Sequence, residues 1–257
     1  MFIFHYMVDC IIQARMGSSR LPGKVLMKIS DRFNVLDFLL NQLNYCKTIN
    51  RIIIATSKNS KDDVIQEYCI KNSISCFRGN EHDVLDRYYN CAKKFESKQI
   101  IRITADCPLI DPNIVDNVVK NFLKDKYDYY SNILKRTFPI GTDVEIFSFE
   151  ILEKIWSLAK LSSDREHVTM FIRSKKIHCK TGYLRNNTDL SNLRITLDRI
   201  EDLELIRKIV SKYQKYPILL EDVVKILNEN KQLLEINMNI NNNEGYELSL
   251  KNDKNVD

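Results

Sequence analysis

Short apolar, β-branched runs alternate along the chain with longer stretches whose apolar residues recur every three to four positions. This is the pattern of an α/β fold with a largely parallel sheet. The first strand is expected at Val8–Gln13, followed by a Gly/Ser/Arg/Pro loop and a short strand at Val25–Ile29. A helix over Val35–Cys46 carries Val35, Leu36, Leu39, Leu40 and Leu43 at helical spacing. Strands at Arg51–Ala55, Ile74–Phe77 and Gln99–Thr104 then alternate with helices at Lys61–Lys71, Val84–Phe95 and Pro112–Leu123. Pro112 falls in a first helical turn, where a missing N–H costs nothing.

The order then changes. Strands at Tyr127–Leu134 and Thr142–Phe147 flank a Pro139/Gly141 turn, and helices follow at Phe149–Lys160 and Arg165–Arg173. Strands at Ile177–Tyr183 and Leu193–Thr196 precede helices at Asp202–Tyr213 and Leu220–Asn228. No linker separates two cores, so one domain is expected over residues 1–236, with an added, exposed β-hairpin region at about 127–147. Residues 237–257 are Asn-rich and polar and are expected to form a frayed tail.

Composition narrows the class. A chain of 257 residues, 44% hydrophobic and 28% charged with six Gly and five Pro, is neither collagen-like nor disordered. The net charge of +5 comes from 39 basic and 34 acidic residues, a balance that says little about nucleic acid or membranes, which usually need a concentrated basic patch; neither is expected as a partner. It fits a few basic groups gathered around an anionic ligand. Seven cysteines, an odd number with no C-x-x-C pair, argue against a disulfide framework or zinc site and for reduced thiols in the cytoplasm. The opening MFIFHYMVDC lacks the basic region and cleavage site of a signal peptide. No run of 18 apolar residues exists, so no membrane span is expected.

The sharpest chemistry is in Gln13-Ala14-Arg15-Met16-Gly17-Ser18-Ser19-Arg20-Leu21-Pro22-Gly23-Lys24, which leaves the C-terminal end of the first strand. Open α/β sheets bind ligands there. Glycines and serines let successive amides turn inward as an anion nest, and Arg15, Arg20 and Lys24 add positive charge suited to phosphate. The spacing is neither G-x-G-x-x-G nor G-x-x-x-x-G-K-S/T. A solvated basic turn is the alternative. Asp106 follows a strand and precedes Cys107-Pro108, and Asp198 ends the strand at Leu193. Two carboxylates from separate strand ends suit Mg²⁺, which takes oxygen ligands and leaves sites for water and phosphate. Asp106 as a turn former and Asp198 as a helix cap, with Glu201 in capping-box spacing, are the structural alternatives.

Q-A-R-M-G-S-S-R-L-P-G-K resembles the opening of the SpsF-type cytidylyltransferase-like proteins of spore-coat polysaccharide biosynthesis. These are relatives of the acylneuraminate and 3-deoxy-manno-octulosonate cytidylyltransferases. The resemblance continues through Phe77-Arg78-Gly79, Asp83 to Tyr89, Arg102 to Ile110, Gly141 to Glu145, Arg165-Glu166-His167-Val168-Thr169, Leu197-Asp198 and Glu201-Asp202-Leu203. It implies a three-layer α/β/α nucleotide-diphospho-sugar transferase fold and transfer of a nucleotidyl group from CTP to an acidic or phosphorylated sugar-like acceptor. Mg²⁺ on Asp106 and Asp198 and a homodimer are implied with it. By the same carry-over Arg15 and Lys24 hold the triphosphate, and Gln13, Ala14, Gly17, Ser18, Ser19, Arg20, Arg78, Gly79 and Asp83 lie near the nucleotide. Asp143, Glu145, Arg165, Glu166 and His167 are the acceptor-side candidates. Solvated strand and helix faces are the alternatives for those five, and Arg87 reads equally well as a surface helix residue. A glycosyltransferase of the same general fold would place its acids as D-x-D, and after Asp106 the next acid is Asp111. A nucleotide-binding subunit without turnover is a third reading.

Overall fold

The computed structural model describes residues 7–213, 215–242 and 244–256. The opening residues 1–6, part of the segment read for a signal peptide, lie outside the described residues. Seven strands form one sheet: β1 (Val8–Gln13), β2 (Arg51–Ser57), β3 (Ser75–Gly79), β4 (Gln99–Thr104), β5 (Tyr129–Ser131), β6 (Glu145–Ser148) and β7 (Thr181–Tyr183). Their order is β3-β2-β1-β4-β6-β5-β7, and β6 runs antiparallel to both neighbours while the other pairings are parallel.

The helices are α1 (Val35–Leu43), α2 (Asp63–Lys71), α3 (Val84–Lys94), α4 (Pro112–Asp125), α5 (Phe149–Leu158), α6 (Ser162–His167), α7 (Met170–Arg173), α8 (Ile200–Ser211), α9 (Leu220–Glu229) and α10 (Glu244–Lys251). β1 shows why the sheet is covered on both faces. Its Val8, Cys10 and Ile12 pack with α1, α2 and α4, while Ile11 packs with α3 and α5 on the opposite side. A strand buried on both faces reads as a continuous apolar run. The result is a three-layer α/β/α domain, with α8 and α9 closing a further apolar cluster around Leu197 and Phe38.

Several local expectations are corrected. Val25–Ile29 is not a strand: Gly23, at φ 72°, turns the chain into a short 3-10 turn at Lys24–Leu26. Leu193–Thr196 is extended but forms only an isolated bridge, Arg194 to Ile140. Gly141 permits that approach, because at φ +106° a Cβ would lie 2.4 Å from the Thr196 amide nitrogen. The helix expected at Arg165–Arg173 breaks at Val168, whose φ of 56° is a rare conformation for a β-branched residue. The pair β5/β6 is not an exposed hairpin, since every residue of β5 is buried within the sheet. The tail contains α10, with no side chain buried, which polar bonds lay against α6.

Strand order reverses between β2-β1 and β1-β4, a topological switch point, and ligands of open α/β sheets bind outside the carboxyl ends of strands at such a point. The loop after β1 and Asp106 after β4 both leave from there. A larger hollow of about 790 Å³ lies at the other ends of β2 and β3, beside Arg51, Ile52, Ile74 and Ser75, away from these groups. All seven cysteines are free thiols. Among the described residues no helix is long and apolar enough to cross a membrane.

Candidate active site

The loop after β1 is held from outside. Buried Asp62 accepts the Met16 amide at 2.7 Å, and Gly23 N donates to Met16 O at 2.9 Å, folding the loop back on itself. The amides of Arg15, Gly17, Ser19 and Arg20 have no acceptor among the described residues, so they remain available to an anion.

Lys24, only 8% exposed, extends its ammonium to 2.8 Å from Asp106 Oδ2, 2.9 Å from Asp198 Oδ1 and 2.7 Å from the Leu197 carbonyl oxygen. Backbone bonding makes this possible, because the Asp106 carbonyl accepts from Leu197 N at 2.8 Å and from Thr196 Oγ1 at 3.1 Å. The extended 193–197 segment thus docks on the end of β4 and brings the second carboxylate beside the first. Burial disfavours the Lys24 charge, but the two carboxylates outweigh it and hold its pKa above the ordinary lysine value. Burial likewise opposes ionisation of Asp198, yet Lys24 and Arg20 keep its carboxyl well below the usual range. Arg20 Nη2 lies 2.8 Å from Asp198 Oδ1.

Asp198 is not the cap of α8. Asp202 is the acceptor there, taking the amides of Asp198 at 2.9 Å and Arg199 at 3.0 Å while pairing with Arg194. The Asp198 side chain is left facing Lys24 and Arg20. Among the described residues no group of three or more His, Cys, Asp or Glu is placed to hold a metal ion. Two carboxylate oxygens that already converge on one cationic nitrogen do fit Mg²⁺, which is commonly held by one or two carboxylates with substrate phosphate and water.

These groups border a cleft of about 390 Å³. Of the residues expected from the sequence, it gathers Gln13, Ala14, Arg15, Ser18, Ser19, Arg20, Lys24, Asp106, Glu166, His167 and Asp198. Gly17 is in the loop but turns away, its Cβ position facing Glu81. Arg78 is a correction: its guanidinium is engaged by the carbonyls of Ser57 and Asn59, by Gln66 and by Asp63, and it does not border the cleft. Asp83 and Arg165 are paired with each other; Asp83 also caps α3, and Arg165 also holds the carbonyls of Trp156 and Ala159. Glu145 is buried and bonded to Arg102, Tyr129 and Thr169, with no face left for a sugar hydroxyl. Asp143 is held by Arg136 at 2.7 and 2.8 Å and borders a second cavity.

Sequence reasoning missed Arg87 and Arg102 on the cleft. Arg87 is not a surface residue but 1% exposed and on the cleft, bonded to the carbonyls of Asn80 and Glu81, with Nε unpartnered. Gly79 makes room for it, since a Cβ there would lie 2.8 Å from Arg87 Cγ. Arg102 reaches the cleft as well and orients Gln13 through a 2.9 Å bond. Arg15, Arg20, Lys24, Arg87 and Arg102 outnumber Asp106, Asp198 and Glu166 on the cleft, an electropositive balance suited to a polyphosphate.

The second cavity, about 280 Å³, lies across Arg20, His167, Asp198 and Gly245 from the first. Arg20, Arg194 and Arg199 each pair with a carboxylate there, whereas the guanidinium of Arg173 has neither hydrogen bond nor ion pair among the described residues. Helix α10 contributes to both: Glu244 pairs with Arg199, Gly245 approaches Arg20, and Leu248 and Ser249 border the cleft, as does Asn252 just past its end. Its polar sequence gave no apolar stripe by which to find it.

Comparison with known proteins identifies the family. A family model described as Cytidylyltransferase matches residues 10–240. The spore coat polysaccharide biosynthesis protein SpsF of Bacillus subtilis is 33% identical over 228 residues, covering 86% of this chain and 93% of that protein. The structure of a cytidylyltransferase from Leptospira borgpetersenii is 34% identical, with a TM-score of 0.86 over 92% of this chain and 99% of that one. A CMP:2-keto-3-deoxy-manno-octonic acid synthetase solved with CTP shares the fold at a TM-score of 0.60 and 15% identity, covering 80% of this chain and 99% of that one. A loop with free amides, a lysine between two carboxylates and a family match over nearly the whole length lead to one assignment: the chain belongs to the SpsF-type cytidylyltransferase family and is a nucleotidyltransferase enzyme.

Proposed function

We propose that the protein transfers the cytidylyl group of CTP to an acidic or phosphorylated sugar-like acceptor, with Mg²⁺, in the synthesis of a surface polysaccharide. The observation that carries this reading is the convergence of Lys24 on Asp106 and Asp198 beside the free amides of the loop. The names of the SpsF relative and of the CTP-bound fold relative support the pathway and the nucleotide.

In this reading the amides of Arg15, Ser19 and Arg20 and the side chains of Arg15, Arg20 and Lys24 bind the triphosphate. Arg87 and Arg102 supply positive charge from the cleft wall. Asp106 and Asp198 would hold Mg²⁺, which when bound neutralises phosphate charge. Catalysis in phosphoryl transfer is largely positioning and electrostatic stabilisation. The acceptor enters the second cavity, where Arg173 takes the anion-binding role that Arg165 cannot fill. Its oxygen attacks the α-phosphorus across the Arg20–Asp198 wall, and pyrophosphate leaves.

The test is pyrophosphate release from CTP and Mg²⁺ against a panel of sugar acids and sugar phosphates. Metal-dependent release with at least one acceptor is expected. Release with none of them, from a protein that also fails to bind CTP, would sink the reading.

A further inference from the structure

His167 borders both cavities, and its ring is held from the C-terminal helix. Its Nε2 lies 3.0 Å from Ser249 Oγ. That hydroxyl has one hydrogen, and its other neighbours are Glu166 Oε2 at 2.8 Å and the Gly245 carbonyl oxygen at 3.0 Å. An ionised carboxylate and a carbonyl only accept. The Glu166 carboxylate is the nearest and the only anionic acceptor, so it takes the hydrogen; Ser249 then offers His167 a lone pair, and Nε2 carries the ring hydrogen. In the neutral imidazole the other nitrogen, Nδ1, is then an acceptor. Nδ1 has no hydrogen-bond partner among the described residues.

We propose that Ser249 is a positioning residue: it fixes His167 in the Nε2–H form, so that Nδ1 receives the proton of the attacking hydroxyl of a sugar-acid acceptor during attack on CTP. This rests on the cytidylyl transfer proposed above. The acceptor oxygen forms a bond to the α-phosphorus, and the bond from that phosphorus to the bridging oxygen breaks. Its electron pair leaves with pyrophosphate, and the proton passes to Nδ1 and then to solvent. The groups facing the ring are Glu166 and Asp164 from α6, Arg102 from β4, Arg173 from α7, and Ser249 and Tyr246 from α10. Burial first, then Arg102 and Arg173, lower the imidazole pKa below its ordinary value against the opposing pull of Glu166 and Asp164. The ring is therefore neutral at about pH 7.5, as a proton acceptor must be.

The experiment compares the full chain with Ser249→Ala, Ser249→Thr and His167→Gln. The protein has four histidines, so the His167 ring is assigned in a long-range proton–nitrogen correlation spectrum by its loss in His167→Gln. The expected result is a neutral Nε2–H ring in the parent and Ser249→Thr, and mixed tautomers in Ser249→Ala. With the acceptor that the panel identifies, kcat falls about tenfold in Ser249→Ala and about 100-fold in His167→Gln, is restored by Ser249→Thr, and KM for CTP is unchanged. A ring protonated on Nδ1 in the parent, or a Ser249→Ala variant with parental tautomer and kcat, overturns the proposal. Failure of the parent to bind CTP would instead defeat the cytidylyl-transfer reading, and the spectrum would still decide the tautomer.

Discussion

The ammonium of Lys24 lies 2.8 Å from Asp106 Oδ2, across a sequence separation of 82 positions. Lys24→Ala removes the cation shared by Asp106 and Asp198 while leaving Arg20 and Arg194 on Asp198. CTP affinity should fall at least about tenfold, equivalent to about 1.4 kcal/mol. Melting curves with and without Mg²⁺ should show a larger rise in the variant than in the parent, because a divalent ion then supplies the missing charge. Equal CTP affinity in both proteins would make the loop a plain turn.

Asp106→Asn keeps the shape of the side chain and the backbone bonds to Thr196 and Leu197, so the fold should persist. Turnover should drop by about two to three orders of magnitude, the usual effect of losing a preorganised electrostatic group. Steady-state kinetics beside a melting curve check this, and parental kcat would remove Asp106 from the chemistry.

Two arginines on neighbouring helices should behave oppositely. Arg165→Ala breaks the ion pair with Asp83 and leaves two helix-end carbonyls without donors, at a cost of about 2 kcal/mol in stability and none in acceptor KM. A double-mutant cycle with Asp83→Ala should give a coupling of at least about 0.5 kcal/mol. Arg173→Ala should lower the melting temperature modestly, because Arg173 also helps hold buried Glu145 ionised, and should leave KM for CTP unchanged while raising acceptor KM about tenfold or more.

Glu145 makes stability depend on acid. Burial opposes its charge, but Arg102 and Arg173, with the hydroxyls of Thr169 and Tyr129, hold its pKa below the ordinary glutamate value. Its stabilisation should thus be fully present above pH about 4.3 and be lost as pH falls through the lowered folded-state value. Glu145→Gln should cost about 3 kcal/mol at neutral pH by leaving Arg102 buried without its counter-charge, and should flatten that acid limb. Melting temperatures across the acid range measure both effects.

What the sequence made legible was local. β4 falls at its expected residues, and Asp106 follows because a carboxylate just past a central strand has one direction to face. The Lys24–Asp198 contact was not readable from spacing, because it depends on how the 193–197 segment docks on Asp106. Asp83 and Arg165 look like ligand groups in the sequence because two charged residues far apart in it give no sign that they neutralise each other. Arg87 left only an indirect signal, the glycine at position 79 that clears its path.

Helix α10 borders both cavities, yet none of its side chains is buried and its attachments are polar. Replacing residues along it therefore alters what the cleft admits without much changing the free energy of unfolding. A variant library sorted by heat resistance would score this helix as neutral ground, whereas one sorted by product formed would not.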